Sequence, residues 1–155
     1  MGSGLSLDQA NKIVDAALAE GRRHGFMPLT VAVLDAGGCL VALQREDGSG
    51  ILRPDIAIGK AWGALGMGVP SRLLRDRLAD RPAFQAALAT ASGGRFVAVP
   101  GGVLLKGEDG HIVGAVGVSG DTSDKDEVCA VASGKSAELA TDPAEPPADW
   151  TQSRL

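Results

Sequence analysis

Residues 99–127 read VPGGVLLKGEDGHIVGAVGVSGDTSDKDE, a glycine-backed β-hairpin that opens directly into a helix. Pro100-Gly101-Gly102 is a bend, Val103 to Lys106 a short strand, Glu108-Asp109-Gly110 the turn and His111 to Val118 the returning strand. Ser119 to Asp124 supplies the start of a helix. A strand that passes through glycines into a helix N-terminus leaves backbone N–H groups free to face an anion. Part of any functional site is expected here.

Upstream of the hairpin, Arg95 to Val99 reads as a strand feeding into it. Before that, Ser71 to Leu78 and Pro82 to Ala89 read as two short helices, with Arg72, Arg75, Asp76 and Arg77 on a solvated face. The stretch ILRPDIAIGKAWGALGMG (51–68) is a helix with Pro54 and Asp55 in its first turn. Gly59, Gly63 and Gly66 form a smooth strip along it. Each interior glycine costs about 1 kcal/mol relative to alanine, so the strip implies close packing by another backbone, a subunit or a flat ligand. Lys60, within this apolar stretch, either snorkels to an edge or points into a polar pocket.

Towards the N-terminus, Leu29 to Leu34 and Cys39 to Leu43 flank Asp35-Ala36-Gly37-Gly38 as a hairpin, and residues 44–50 form a polar loop suited to a rim or lid. Ser6 and Gln9 have capping-box spacing, and Ala10, Ile13, Val14, Ala17 and Leu18 make one apolar helical stripe. His24 belongs to the solvated basic end of that helix. Downstream, Ser123 and Asp126 have capping-box spacing for a last helix. The domain is expected to span residues 5–140, followed by a Pro-rich extended tail at 141–155 that contains Trp150.

The 155 residues suffice for one domain with a real core, built from Ala, Val, Leu and Ile because aromatics are only 3%. A net charge of −4 argues against nucleic acid. Nothing suggests a membrane surface or span, and MGSGLSL has neither a charged nor an apolar signal region, so a cytoplasmic location is expected. Cys39 and Cys129 lack metal-ligand spacing and read as reduced thiols; no metal site is expected.

Standard motifs fail. Ser133-Gly134-Lys135-Ser136 contains GKS, but Cys129 stands where a phosphate loop needs its first glycine. Gly114, Gly117 and Gly120 do not have dinucleotide-fingerprint spacing. Gly117-Val118-Ser119-Gly120 lacks the last glycine of a nucleophile elbow. What survives is a constellation of Arg53, Asp55 and Lys60 with Gly101, Gly102 and Ser119 to Thr122, a set of cation and amide donors suited to a carboxylate.

The stretches LSLDQANKIVDAALAEGRRHG, LTVAVLDAGGCLVALQREDG, RPDIAIGKAWGALGMGVPSR and residues 99–127 together resemble the haem-binding GlcG/HbpS-like family, which includes the C-terminal domain of PduO-type cobalamin adenosyltransferases. The order of DAGG, IGKA, PGG and GVSG carries the resemblance. It implies a profilin-like three-layer α/β/α sandwich around a five-stranded antiparallel sheet, with the terminal helices on one face and the middle helices on the other. The residue-level reading supports an element order α-β-β-α-α-α-β-β-β-α. The resemblance also implies homo-oligomers, dimers or higher, and haem as a ligand. The family pattern has histidine where Cys39 stands.

Two functional readings follow. In the first, which the resemblance motivates, the chain is a haem-binding module, with haem degradation an activity proposed for the family; Arg53 or Lys60 holds a propionate and Met67, His24, His111 or Cys39 approaches the iron. In the second it is a small-molecule enzyme of hydrolase, isomerase or deaminase type acting on an anionic organic acid. There Lys60 is the acid/base or the electrophilic group, Asp55 adjusts its charge, and Gly101, Gly102, Ser119, Gly120 and Asp121 hold the carboxylate.

Overall fold

In a computed structural model, residues 4–154 are described; Met1–Ser3 of the N-terminal stretch read for targeting signals lie outside them. Helix α1 (Leu7–His24) starts as its sequence requires. The Ser6 hydroxyl accepts from the Gln9 amide, the Gln9 side chain accepts from the Ser6 amide, and Gly25 closes the helix in the left-handed conformation. Strands β1 (Thr30–Asp35) and β2 (Leu40–Arg45) form the first hairpin, and β3 (Gly102–Lys106) and β4 (Ile112–Ser119) the second. Helices α2 (Arg53–Met67), α3 (Ser71–Leu78) and α4 (Pro82–Ala91) lie between them, and α5 (Ser123–Ser136) follows β4.

The sheet is antiparallel throughout, in the order β2-β1-β4-β3-β5, and the architecture is the profilin-like α/β/α sandwich. Strand alternation builds its two cores. Val31, Val33, Val103, Leu105, Val116 and Val118 face α1 and α5. Leu34, Leu104 and Ala115 face Ala61 and Ala64 of α2. On that second face the helix backbone lies directly on the sheet. A Cβ at Gly117 would stand 1.9 Å from the Ala57 carbonyl oxygen, and one at Gly102 would stand 2.2 Å from that of Lys60.

Two expectations about elements are corrected. Arg95 to Val99 is not a strand; the fifth strand is β5 (Ala140–Asp142), in the segment expected to be tail, and it occupies the free edge of β3. Residues 95–97 instead lie over the glycine strip of α2. The Val97 amide donates to the Gly59 carbonyl at 3.4 Å, and a Cβ at Gly63 would meet the Phe96 ring at 3.1 Å. At Gly59 and Gly63 the strip is thus covered by this chain's own residues 95–97, whereas a Cβ at Gly66 would meet nothing within 4 Å. The rest of the tail is no free extension either: a 3-10 helix (Trp150–Gln152) brings Trp150 onto α1's C-terminal end. Among the described residues no helix is long and apolar enough to cross a membrane.

Candidate functional site

The loop after β4 does cradle an anion, and the anion is the protein's own. The Asp121 amide donates to Asp126 Oδ1 at 2.9 Å, and the Gly120 amide also faces that carboxylate. The cap of α5 is therefore Thr122, whose hydroxyl accepts from the Lys125 amide, and not Ser123 paired with Asp126. Asp121 itself accepts from the Met27 and Thr122 amides at 2.8 and 2.7 Å. Against the opposing effect of burial, those amides hold its carboxyl below the usual range.

Lys60 reaches this cradle from α2, on the other side of the sheet. Its ammonium donates to Asp126 Oδ2 at 3.0 Å and to the Val118 carbonyl at 2.8 Å, and the two side chains are 2% and 1% exposed. The path is open because residue 101 is glycine at φ 122°; a Cβ there would lie 2.9 Å from Lys60 Nζ. Burial pulls the Lys60 amine below, and pushes the Asp126 carboxyl above, their ordinary ranges, with the ion pair opposing both. Lys60 thus neither snorkels to an edge nor points into an open polar pocket: its ammonium is enclosed by the protein.

The remaining expected site residues divide accordingly. The Gly102 amide donates to the buried Ser71 hydroxyl at 2.7 Å, and the Gly101 carbonyl accepts from the Val118 amide. Ser119 is buried in β4 and its hydroxyl accepts from Arg53 Nη1 at 3.1 Å. Gly102, Gly120 and Asp121 thus spend their amides inside the protein. Asp55 is exposed on α2 and does not adjust Lys60's charge; Asp126 does. Arg53 is half-buried and pairs with no carboxylate among the described residues.

Sequence reasoning missed the second buried ion pair. Arg72, expected on a solvated face, donates from Nε to both oxygens of Glu127 at 2.8 and 3.0 Å and from Nη2 to Asp124. Glu127 is fully buried, and burial pushes its carboxyl upward against Arg72. The run Asp124-Lys125-Asp126-Glu127 was the available signal: three acids opening a helix otherwise rich in buried residues need cations across the fold.

The open cavity at this end lies on the α1 side. A cleft of about 450 Å³ is floored by Leu18, Phe26 and Pro28 and rimmed by Arg22, Arg45 and Glu46. The rim includes the loop expected as a lid. Glu46 accepts from the Leu29 amide at 2.8 Å and from Arg22 at 3.1 Å, and Arg45 is anchored on the Ser49 carbonyl at 2.6 Å, with no carboxylate partner among the described residues. Beside it, the His24 imidazole stacks on Phe26 at 4.9 Å, meets Trp150 edge-on at 5.2 Å, and contacts Glu20 through Nε2 at 2.9 Å. His24 is therefore part of a packed aromatic cluster, not a solvated helix end. A larger groove of about 690 Å³ at the opposite end is lined by Glu108, Asp109, His111 and Glu138 without a lysine or arginine.

The four expected iron donors separate by the same geometry. Thr30 pairs with Ser119 at the glycine-loop end, whereas Asp35 pairs with Gly114 near the hairpin turns. His111, at the foot of β4, is about 27 Å from Ser119 along that strand, and Cys39, which sits opposite Asp35 and so level with Gly114, is about 17 Å from it. Met67 ends α2, about 21 Å from Arg53 along its axis. Of the four, His24 alone shares the end that holds Arg53 and the cleft.

The comparisons agree with the fold. A relative from Citrobacter freundii, described as an uncharacterized 15.0 kDa protein in the dhaT-dhaS intergenic region, is 29% identical over 128 residues, 81% of this chain and 87% of its own. A double mutant of Streptomyces reticuli HbpS superposes with a TM-score of 0.74 at 29% identity, over 87% of this chain and 88% of that one. The structure described as a PduOC:heme complex superposes with a TM-score of 0.76 at 23% identity, over 88% and 96%, a likeness of fold. Residues 5–134 match the family described as "Haem degrading protein HbpS-like", and the chain belongs to that HbpS-like family.

Proposed function

We propose that this protein binds haem at the glycine-loop end, in the cleft between α1 and the loop after β2. The observation that carries the reading is the composition of that cleft. Leu18, Phe26 and Pro28 offer an apolar floor, Arg22 and Arg45 offer cations for propionates, and the His24 imidazole adjoins it. Its volume falls within the range usual for ligand sites. The Glu20 contact to His24 Nε2 leaves Nδ1 as the donor atom, the arrangement in which a carboxylate orients a metal-binding imidazole. Arg53, which pairs with no carboxylate among the described residues, stands at the same end outside the cleft lining and is a further cation for a propionate. Membership of the family and the haem complex of PduOC support the choice of ligand.

Bound haem would supply the iron chemistry that haem degradation requires; the chain's own residues bind, orient and shield it. The organic-acid enzyme is not carried forward, because its acid/base, Lys60, is enclosed with Asp126. Assembly into homo-oligomers belongs to the proposal as well. Helix α4 has no charged residue and no buried one, and Phe84 is exposed on it; light scattering reads the assembly directly.

Titration with hemin tests the ligand. A saturable Soret shift near one haem per chain is expected, with an altered spectrum in His24→Ala and affinity weakened about tenfold in Arg45→Ala. Absence of a saturable shift would overturn the proposal. Incubating the complex with a reductant in air reads degradation as loss of the Soret band.

A further inference from the structure

The C-terminal segment ends on the residue to which the iron is assigned. After β5, which pairs beside Leu104, the chain returns along α5 to place Trp150 edge-on to both His24, at 5.2 Å, and Phe26, at 5.7 Å. Phe26 is also a wall of the cleft. The three rings therefore form one cluster in which Trp150 belongs to the tail and the other two to the body. The imidazole retains only 21% side-chain exposure under this cover, against 83% for His111.

The segment adds nothing to the buried core. From Pro143 to Arg154 no residue is buried, whereas the elements on either side of it in space, α1 and α5, contribute much of the main core. A segment with few buried apolar contacts opens locally without unfolding the rest. Its prolines, Pro143, Pro146 and Pro147, limit the conformations it visits when open, so reclosure is not opposed by a large loss of chain entropy.

We propose that residues 143–152 are a strap that gates the cleft, with Trp150 as its latch over His24. Closed, it covers the imidazole; open, it extends the cleft from Phe26 onto His24 and admits a flat, apolar ligand bearing carboxylates. The ligand part of this inference rests on the haem reading above, and the shielding part does not.

The two histidines provide an internally controlled test. Diethylpyrocarbonate modifies accessible neutral imidazoles, and mass spectrometry reads His24 and His111 separately. In the full-length protein His24 reacts slowly relative to His111. Trp150→Ala should raise the His24 rate by roughly tenfold, as loss of two aromatic contacts implies, leave His111 unchanged, and speed hemin association. Trp150→Phe should keep most of the protection. An unchanged unfolding midpoint in Trp150→Ala separates strap opening from general loosening; a lowered midpoint with both histidines accelerated would overturn the proposal. Equal His24 rates in wild type and Trp150→Ala would overturn it too. If His24 is unmasked but hemin association does not change, the strap is not a gate for haem. If hemin binds neither protein while His24 is unmasked, the haem reading fails and the shielding stands.

Discussion

The pair formed by Lys60 and Asp126 joins α2 to the start of α5 across the end of the sheet, and its energetics can be worked from the geometry. Removing one partner from a buried ion pair costs about 3–5 kcal/mol, because the other charge is left without compensation. The two single variants should differ within that range. In Lys60→Met the Asp126 carboxylate keeps the Asp121 and Gly120 amides, so the cost falls near about 3 kcal/mol. In Asp126→Asn the ammonium keeps only the Val118 carbonyl and faces an amide, so the cost approaches about 5 kcal/mol. The double variant removes both charges and frees the Val118 carbonyl to accept from the Asn amide. It should therefore fall short of the sum of the singles by about 2 kcal/mol or more. Urea titrations followed by far-UV circular dichroism at pH 7, analysed with a common slope, give the four stabilities. A cycle additive within about 0.5 kcal/mol, or a Lys60→Met variant nearly as stable as wild type, would refute the reasoning.

Three further outcomes are expected. Gly117→Ala drives a Cβ into the Ala57 carbonyl and should cost about 3 kcal/mol or more by thermal or urea denaturation, whereas Gly66→Ala, with nothing within 4 Å, should stabilise α2 by about 1 kcal/mol. Ser6→Ala removes the capping box of α1 and should lower stability by about 1 kcal/mol in the same titrations, with little effect on hemin binding. Burial holds Lys60 below its ordinary 10.5, so in the alkaline window below that value the unfolded chain binds a proton the folded one has released. Stability from this group rises with pH there, and the deficit of Lys60→Met relative to wild type should widen between pH 7 and 10; a narrowing deficit would contradict the assigned direction.

Local chemistry was legible in the chain and long-range pairing was not. Ser6 and Gln9 announce their helix because both partners of the cap lie within four residues. The second hairpin is legible for the same reason, with its turn at 108–110 between alternating apolar residues. Arg95 to Val99 has the composition of a strand, yet the edge of β3 goes to Ala140–Asp142 while residues 95–97 settle on the glycines of α2. Which of two short segments takes a sheet edge depends on what else each can cover. Arg72 looked like a surface charge because nothing near it in sequence reveals that Glu127 will be buried beside it.

The residues by themselves determined the start of α1, the two hairpins and the presence of an anion cradle after β4, since these follow from spacing, capping and glycine geometry within short windows; the layers of the sandwich came from the family resemblance. Tertiary structure decided what fills the cradle. The loop amides that looked free for a ligand are turned inward to Asp126, and Lys60 passes beneath Gly101 to neutralise it. Enclosed charges must be compensated within the fold, so that polar machinery is committed to holding the protein together. The open cleft fell instead to Phe26 and Arg45, 19 positions apart in sequence, with His24 stacked beside Phe26, brought together when β1 and β2 pair beneath the end of α1.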